Sequence, residues 1–175
     1  MRYIALLRGI NVGGNTMVKM SELASMFEAL GFDGVKTYIN SGNIAFDAPK
    51  TAEAKLVAKI EKAIEDTFEK NIPVMLREQK QIDIILASNP FEGEFESHKE
   101  MHVLFLSEEM SAVKEKQLLE AALEGERYKC IGRELYCYLP KGVIESLLGK
   151  SFIEKKLRLA VTGRNWRTVQ KLAEL

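Results

Sequence analysis

The sequence predicts an α+β protein made of two ferredoxin-like (β-α-β-β-α-β) subdomains in tandem, each followed by one further helix. Three observations lead to this prediction. Short apolar runs alternate with stretches of helical periodicity, two pairs of strand-like runs flank tight-turn sequences, and the same order of elements occurs twice. Residue identities hardly match between the halves, so the repeat is one of element order only. We place the subdomains at residues 1–92 and 98–175.

The first half contains four predicted strands and three predicted helices. The run RYIALLR is apolar on both faces, which is typical of a central strand covered on both sides. Apolar residues spaced three and four apart between Leu23 and Leu30 predict a helix that Ser21 caps and Gly31 ends. VKTYI and NIAF flank the turn Asn40 to Asn43 and predict a hairpin. A helix over residues 51–70, the strand PVMLR and one more short helix complete this half.

The second half repeats this order. MHVLFL is a predicted strand, and residues 113–123 suit a helix. RYKCI and ELYCYL predict a hairpin that turns at Gly132 and Arg133. A helix over residues 143–156, broken at Gly149, leads to the strand RLAVT and to a closing helix over residues 165–175.

The composition excludes a strongly charged or membrane-spanning protein. Lys plus Arg and Asp plus Glu number 25 each, so no overall field attracts the chain to nucleic acid or to a membrane surface. No apolar run approaches the roughly 18 residues of a membrane span, and the N-terminal apolar stretch is too short for a signal sequence. Pairing across the second hairpin sets Cys130 opposite Leu135 rather than Cys137, which argues against a disulfide. We expect a cytoplasmic protein.

The balanced net charge conceals an asymmetry along the chain. Residues 91–126 hold ten Glu against three Lys, and residues 150–175 hold seven Lys or Arg against two Glu. Such runs are usually solvated faces. The alternative is that the two segments pair with each other or across a dimer.

The opening loop LRGINVGGNT differs by one residue from the phosphate-binding pattern G-x-x-x-x-G-K-[ST], because Asn15 stands where the lysine is required. The next helix is expected to begin near Ser21, so its positive end does not point into the loop. We therefore exclude a nucleotide-hydrolysing loop. A purely structural glycine turn and a different kind of ligand loop both remain open.

The predicted topology brings the end of the first strand to the same sheet edge as the first hairpin turn. Backbone N–H groups at this glycine-rich edge would suit an anion. The candidate ligand-binding residues here are Arg8, Asn11, Gly13, Gly14, Ser41 and Asn43.

A second candidate group lies in TGRNWRTVQKLAEL. Arg164, Asn165 and Arg167 at the start of the last helix, with Asn165 or Thr162 as its cap, would form an anion site. Alternatively, both arginines reach the Glu-rich middle segment. Trp166 is expected to belong to the core. Whether the two candidate groups share one site is left open by the sequence.

No metal or cofactor site is predicted. His98 and His102 are four residues apart, but His102 falls in a predicted strand and no third ligand is near. No catalytic triad or Cys/His pair is recognisable. An RNA-binding protein would stack bases on aromatic residues of an open sheet face, and Tyr3 and Phe46 could have this role. We disfavour this function because the first strand is apolar on both sides, so its second face is expected to be covered.

Four stretches together, YIALLRGINVGG, VKTYINSGNIAF, NPF and RNWRTVQKLAEL, resemble the mainly bacterial domain-of-unknown-function family sixteen ninety-seven over nearly the whole chain. The resemblance implies two α+β subdomains of ferredoxin-like character. It implies no catalytic residue, since the family has no assigned activity. The chain departs from the usual family pattern at Asn15, where Lys is frequent, and at Gly163 and Arg167.

Three functions are consistent with the sequence. The first is a cytoplasmic module that binds an anionic ligand, either a phosphorylated or carboxylated small molecule or a nucleic acid. The second is an enzyme of undetermined class that uses the same groove. The third is a protein–protein interaction module without a small-molecule site. The sequence leaves the oligomeric state open.

Overall fold

The computed structural model describes residues 1–14 and 16–175 and has mixed α and β structure. Two compact units are distinguished: residues 1–83 with 172–175, and residues 84–171. Each unit contains one four-stranded antiparallel sheet. The α+β class expected from the sequence is therefore confirmed.

The strand order of the first unit explains which loops meet at its edges. Its elements are β1 (Arg2–Leu7), α1 (Met20–Ala29), β2 (Asp33–Tyr38), β3 (Asn43–Asp47), α2 (Glu53–Phe68), β4 (Val74–Glu78) and the first part of α3 (Gln79–Ala87). The sheet has the order β2-β3-β1-β4, with β3 antiparallel to both of its neighbours. The end of β1 and the β2–β3 turn therefore lie at one edge, as the predicted topology requires.

An aromatic cluster fills the core of the first unit. The Tyr3 and Phe46 rings stack with centroids 5.6 Å apart, and Phe46 also contacts Phe27 at 5.3 Å and Phe32 at 4.5 Å. Such ring pairs contribute about 1 kcal/mol each beyond their buried area. Because Tyr3 and Phe46 are buried, neither is available to stack on a base.

The ends of α1 test the predicted caps. The helix begins at Met20 after Lys19, and no side chain caps it, so the prediction of Ser21 as the cap is wrong. Gly31 follows the helix with φ +82°, a conformation that costs glycine little. The predicted end of the helix is confirmed.

The second unit has the equivalent strand order, β6-β7-β5-β8. It contains the rest of α3, β5 (Met101–Leu106), α4 (Ala112–Ala121), β6 (Arg127–Ile131), β7 (Glu134–Tyr138), a 3-10 turn (Leu148–Lys150), a π-helix (Ile153–Leu157), β8 (Val161–Asn165) and most of α5 (Trp166–Leu172). Cys130 lies opposite Leu135 and Cys137 opposite Tyr128, which confirms the predicted hairpin register. Both thiols are free, and Cys137 is fully buried.

The predicted α-helix over residues 143–156 is replaced by turns, the 3-10 turn Leu148–Lys150 and the π-helix that begins at Ile153. The Ser146 hydroxyl donates to the carbonyl of Val143 at 2.6 Å and accepts from the amide of Leu148 at 3.1 Å. These bonds compete with a helical ladder. Gly149 also passes the carbonyl of Ile144 so closely that a Cβ would lie 2.2 Å from its oxygen. The sequence pattern is helical here, but local side-chain bonding and close backbone packing override it.

None of the described helices combines the length and apolar character that crossing a bilayer requires.

Candidate anion site

Arg8 is the first residue after β1, and the backbone fixes its position. The amide of Leu7 donates to the carbonyl of Gly42 at 2.8 Å, and the amide of Arg8 donates to the carbonyl of Pro73 at 3.0 Å. The Arg8 side chain is half-buried. Its guanidinium makes no hydrogen bond or ion pair with any residue that the structure describes.

Asn11 joins the opening loop to the β2–β3 turn. Its Nδ2 donates to the carbonyls of Val18 at 2.9 Å and Asn40 at 2.7 Å, and its Oδ1 accepts from the amide of Val18 at 2.8 Å. Asn11 has φ +56°, which Asn tolerates better than most residues. Because these bonds engage both ends of the side-chain amide, Asn11 holds the loop in place.

Gly13 and Gly14 form the exposed part of the loop. Their φ values are +61° and +75°, and a Cβ on either residue would meet nothing within 4 Å. Within the described chain, neither glycine makes a hydrogen bond. We call Arg8, Gly13 and Gly14 together the glycine rim. Asn15, which replaces the phosphate-loop lysine, lies outside the described residues.

Ser41 and Asn43 build the turn beneath the loop. Asn43 is fully buried, and its Nδ2 donates to the carbonyl of Tyr38 at 3.0 Å and to Ser41 Oγ at 2.9 Å. A ligand at the surface would not reach Asn43. Both residues therefore shape the turn to which Asn11 is bonded.

Three exposed apolar side chains belong to the opening loop and to the β2–β3 turn. Val12, Met17 and Ile39 are 65%, 63% and 50% exposed, and each is adjacent in sequence to a residue of the Asn11 hydrogen-bond cluster. Ile39 has φ +48°, a strained conformation for a β-branched residue. This sheet edge thus combines one cation, exposed glycines and an apolar border.

The structure corrects the predicted position of Arg164. This residue lies in β8, not at the start of the helix, and it is 6% exposed. Its Nη1 donates to Thr162 Oγ1 at 2.7 Å and to the carbonyl of Gly163 at 2.8 Å. Burial lowers the pKa of Arg164 to about 10, so the guanidinium stays charged at neutral pH.

The other two candidates of the C-terminal segment, Asn165 and Arg167, differ in their surroundings. Asn165 Oδ1 accepts from the amide of Thr168 at 2.9 Å and so caps α5. Arg167 is exposed and has no hydrogen bond or ion pair with the described residues. Trp166 is buried and meets Phe95 edge to face with centroids 6.1 Å apart, which confirms its place in a core.

His102 lies in β5 apart from any cluster of metal ligands. Nowhere in residues 1–14 and 16–175 do three or more His, Cys, Asp or Glu side chains come together as a metal site would need. His102 Nδ1 is buried and lacks a hydrogen-bond partner. Burial, and to a lesser degree the nearby His98, lower the pKa of His102 to about 4.

Comparison with known proteins identifies relatives but no activity. The sequence model of a family described as "Protein of unknown function (DUF1697)" matches residues 1–136. The structure of conserved bacterial protein SP0830 from Streptococcus pneumoniae is similar, with a TM-score of 0.78 at 25% sequence identity, over 99% of this chain and 97% of that chain. Among curated proteins, none matches the sequence. The chain therefore belongs to the DUF1697 family.

Proposed function

We propose that the protein is a cytoplasmic module that binds an anionic ligand at the glycine rim. The observation that carries this proposal is the Arg8 guanidinium, which lies at the start of the loop without a partner among the described residues. A guanidinium recognises phosphate and carboxylate groups through paired donors. The ligand class is thus a phosphorylated or carboxylated small molecule or the phosphate end of a nucleic acid.

The geometry of Gly13 and Gly14 supports the same ligand class. Both residues lie with positive φ in an exposed turn, where backbone N–H groups can meet an anion. A Cβ on either glycine would have no described residue within 4 Å apart from its neighbours in the chain, so the Cβ side of both residues is open. A small anion could therefore approach the backbone closely.

The Asn11 bonds favour binding because they hold the loop before the ligand arrives. A loop that is already ordered loses less conformational entropy on binding. Ser41 and Asn43 contribute indirectly, since they shape the turn that Asn11 contacts.

The C-terminal candidates are not part of the proposed site. The Arg164 guanidinium is buried, and Asn165 is engaged in capping. Arg167 serves instead as a matched control, because it is an exposed arginine without a partner among the described residues.

The test is a thermal-shift and calorimetric titration with inorganic phosphate, citrate, a nucleoside monophosphate and a 5′-phosphorylated oligonucleotide. A ligand at about 100 times its Kd adds roughly 2.7 kcal/mol, which raises the Tm of a chain of this size by about 5 to 10 °C. Arg8→Gln is expected to weaken binding by about 10- to 100-fold, and Arg167→Gln is expected to leave binding unchanged. Equal affinities of wild type and Arg8→Gln would overturn the proposal, as would silence across the four probes.

We also infer that the two units are copies of one ferredoxin-like topology, with the proposed subdomains at residues 1–92 and 98–175. The equivalent strand orders support this, and so does one pair of arginines. Arg77 lies opposite Ile4 in the β1–β4 ladder, and Arg164 lies opposite Val103 in the β5–β8 ladder. Both are buried, and both donate through Nη1 to the carbonyl of the preceding residue at 2.8 Å.

A further inference from the structure

A groove of about 440 Å³ lies in the second unit between the end of α4 and strand β6. This volume is within the range of about 300 to 1,000 Å³ that small-molecule sites occupy. We call it the β6 groove, and its main residues are Phe91, Leu119, Ala122, Arg127, Tyr128 and Lys129. It shares no residue with the glycine rim.

The Phe91 ring forms an aromatic floor beneath Arg127. Phe91 is buried, whereas Tyr128 projects from the opposite face of β6 into the core of the second unit. The Arg127 guanidinium carbon lies 4.8 Å from the centroid of the Phe91 ring, and Arg127 is also paired with Glu94. The guanidinium therefore lies over the Phe91 ring, while 52% of the Arg127 side chain stays exposed. A planar cation held in this way offers its other face to an aromatic ring.

Lys129 supplies an available positive charge beside this plane. It is exposed and makes no hydrogen bond or ion pair with the described residues. Arg127 and Lys129 are two residues apart in β6, so they project from the same face with about 7 Å between their Cα atoms. That spacing is comparable to the distance between an aromatic base and its phosphate.

The carboxylate of the groove is already committed to donors of the protein. Glu126 accepts from the Tyr128 hydroxyl at 2.7 Å, from the amide of Leu147 at 3.0 Å and from the amide of Leu123 at 3.2 Å. These bonds hold the Glu126 carboxylate against donors of the protein. The groove therefore presents an apolar floor to a ligand, with Lys129 as a cation that has no partner among the described residues.

We propose that the β6 groove binds a planar aromatic molecule that carries an anionic group, such as a nucleoside monophosphate or an aryl carboxylate. The ring stacks on Arg127, and the anionic group meets Lys129. The site is separate from the proposed function at the glycine rim and does not depend on it.

The experiment uses adenosine monophosphate as the probe, with adenosine and ribose 5-phosphate as the probes that lack the charge and the ring. Binding to the full chain is measured by calorimetry. Arg127→Lys keeps the charge and the partner Glu94 but removes the plane, and Lys129→Gln removes the charge. Each variant is expected to weaken the binding of adenosine monophosphate by about five- to tenfold. Adenosine and ribose 5-phosphate are each expected to bind the wild type more weakly than adenosine monophosphate does.

Two controls make the outcome decisive. Lys156→Gln removes another exposed cation of the second unit and is expected to bind as wild type does. Arg8→Gln removes the cation of the glycine rim. If only Arg8→Gln weakens binding, the probe occupies the glycine rim and the groove proposal is overturned. A Kd of adenosine monophosphate for the wild type above about 1 mM also overturns the proposal. If Arg127→Lys and Lys129→Gln weaken binding while Arg8→Gln does not, the groove proposal stands whether or not the rim binds anions.

Discussion

The Asn11 side chain makes three hydrogen bonds, two to Val18 within the opening loop and one to the carbonyl of Asn40 in the β2–β3 turn. Asn11→Gly keeps the left-handed backbone and removes all three bonds. At about 1 kcal/mol for each bond, we expect the free energy of unfolding to fall by about 2 to 3 kcal/mol. Urea unfolding measures the change.

Asn40→Ala is the matched control for this variant. Asn40 accepts the Asn11 bond through its backbone carbonyl, so losing its exposed side chain is expected to cost less than about 0.5 kcal/mol. Equal stability losses for the two variants would mean that the Asn11 side chain does not hold the loop.

Ile39 is expected to limit stability because a β-branched residue is held at φ +48°. Asn adopts this conformation more easily, so Ile39→Asn should add about 1 kcal/mol and raise the Tm by about 2 to 4 °C. Ile144→Asn replaces an exposed isoleucine outside the left-handed region and should bring no such gain. Calorimetry measures the Tm of both variants and of the wild type. A Tm of Ile39→Asn below that of the wild type would contradict the expected backbone strain at this residue.

At the scale of elements, the first hairpin depends on Gly42. A Cβ on this residue would lie 2.7 Å from Leu7 Cβ and 2.9 Å from Ile10 Cδ1, and its φ is +81°. Gly42→Ala should therefore cost about 2 to 5 kcal/mol, the sum of backbone strain and overpacking.

Gly13→Ala separates these two contributions. Gly13 has φ +61° but open space around it, so the same substitution should cost only the backbone strain of about 1 to 2 kcal/mol. Urea midpoints of the two alanine variants give the difference. Similar losses at the two positions would show that contact with Leu7 is unimportant.

Local sequence signals predicted some elements well and others poorly. Gly31 marked the end of α1 because a left-handed residue is what a helix terminus requires. Residues 143–156 were predicted to form an α-helix and do not, because Ser146 bonds its neighbours and Gly149 packs against a carbonyl, contacts that apolar periodicity does not encode. Arg164 was placed at the start of the last predicted helix, whereas it lies in β8 and is buried there.

At the scale of the whole molecule, the order of the elements predicted four strands in each half of the chain, and each unit contains one four-stranded sheet. The candidate sites were less predictable, because they depend on contacts between distant residues. Asn11 was expected near the first hairpin turn, but its bond to Asn40 was not. The β6 groove was missed, although the alternation of Arg127 and Lys129 in RYKCI was a signal of an exposed basic strand face.

The stability of the molecule is expected to fall in mild acid through His102. Its pKa is about 4 when folded, against about 6.5 when unfolded, so between these values the unfolded chain binds more protons. The free energy of unfolding should therefore decrease as the pH falls from about 6.5 towards 4. His102→Gln should reduce the difference between pH 7 and pH 5 by about 1 to 2 kcal/mol.

Chemical denaturation at the two pH values measures this effect, with His98→Gln as the control. The control keeps the burial of His102, which is the larger cause of its shifted pKa, so its pH dependence should stay near that of wild type. An unchanged pH dependence in His102→Gln would contradict the assignment.

Both cysteines lie in the second unit, so their rates of chemical modification can report how often this unit opens. Burial raises the pKa of both thiols, and Cys137 is completely enclosed, whereas Cys130 is half-buried on the adjacent strand. A thiol-specific reagent should modify Cys130 in the folded state and reach Cys137 only during an opening event. The first unit contains no cysteine, so Cys137 modification reports every opening that exposes the second unit and is insensitive to openings confined to the first.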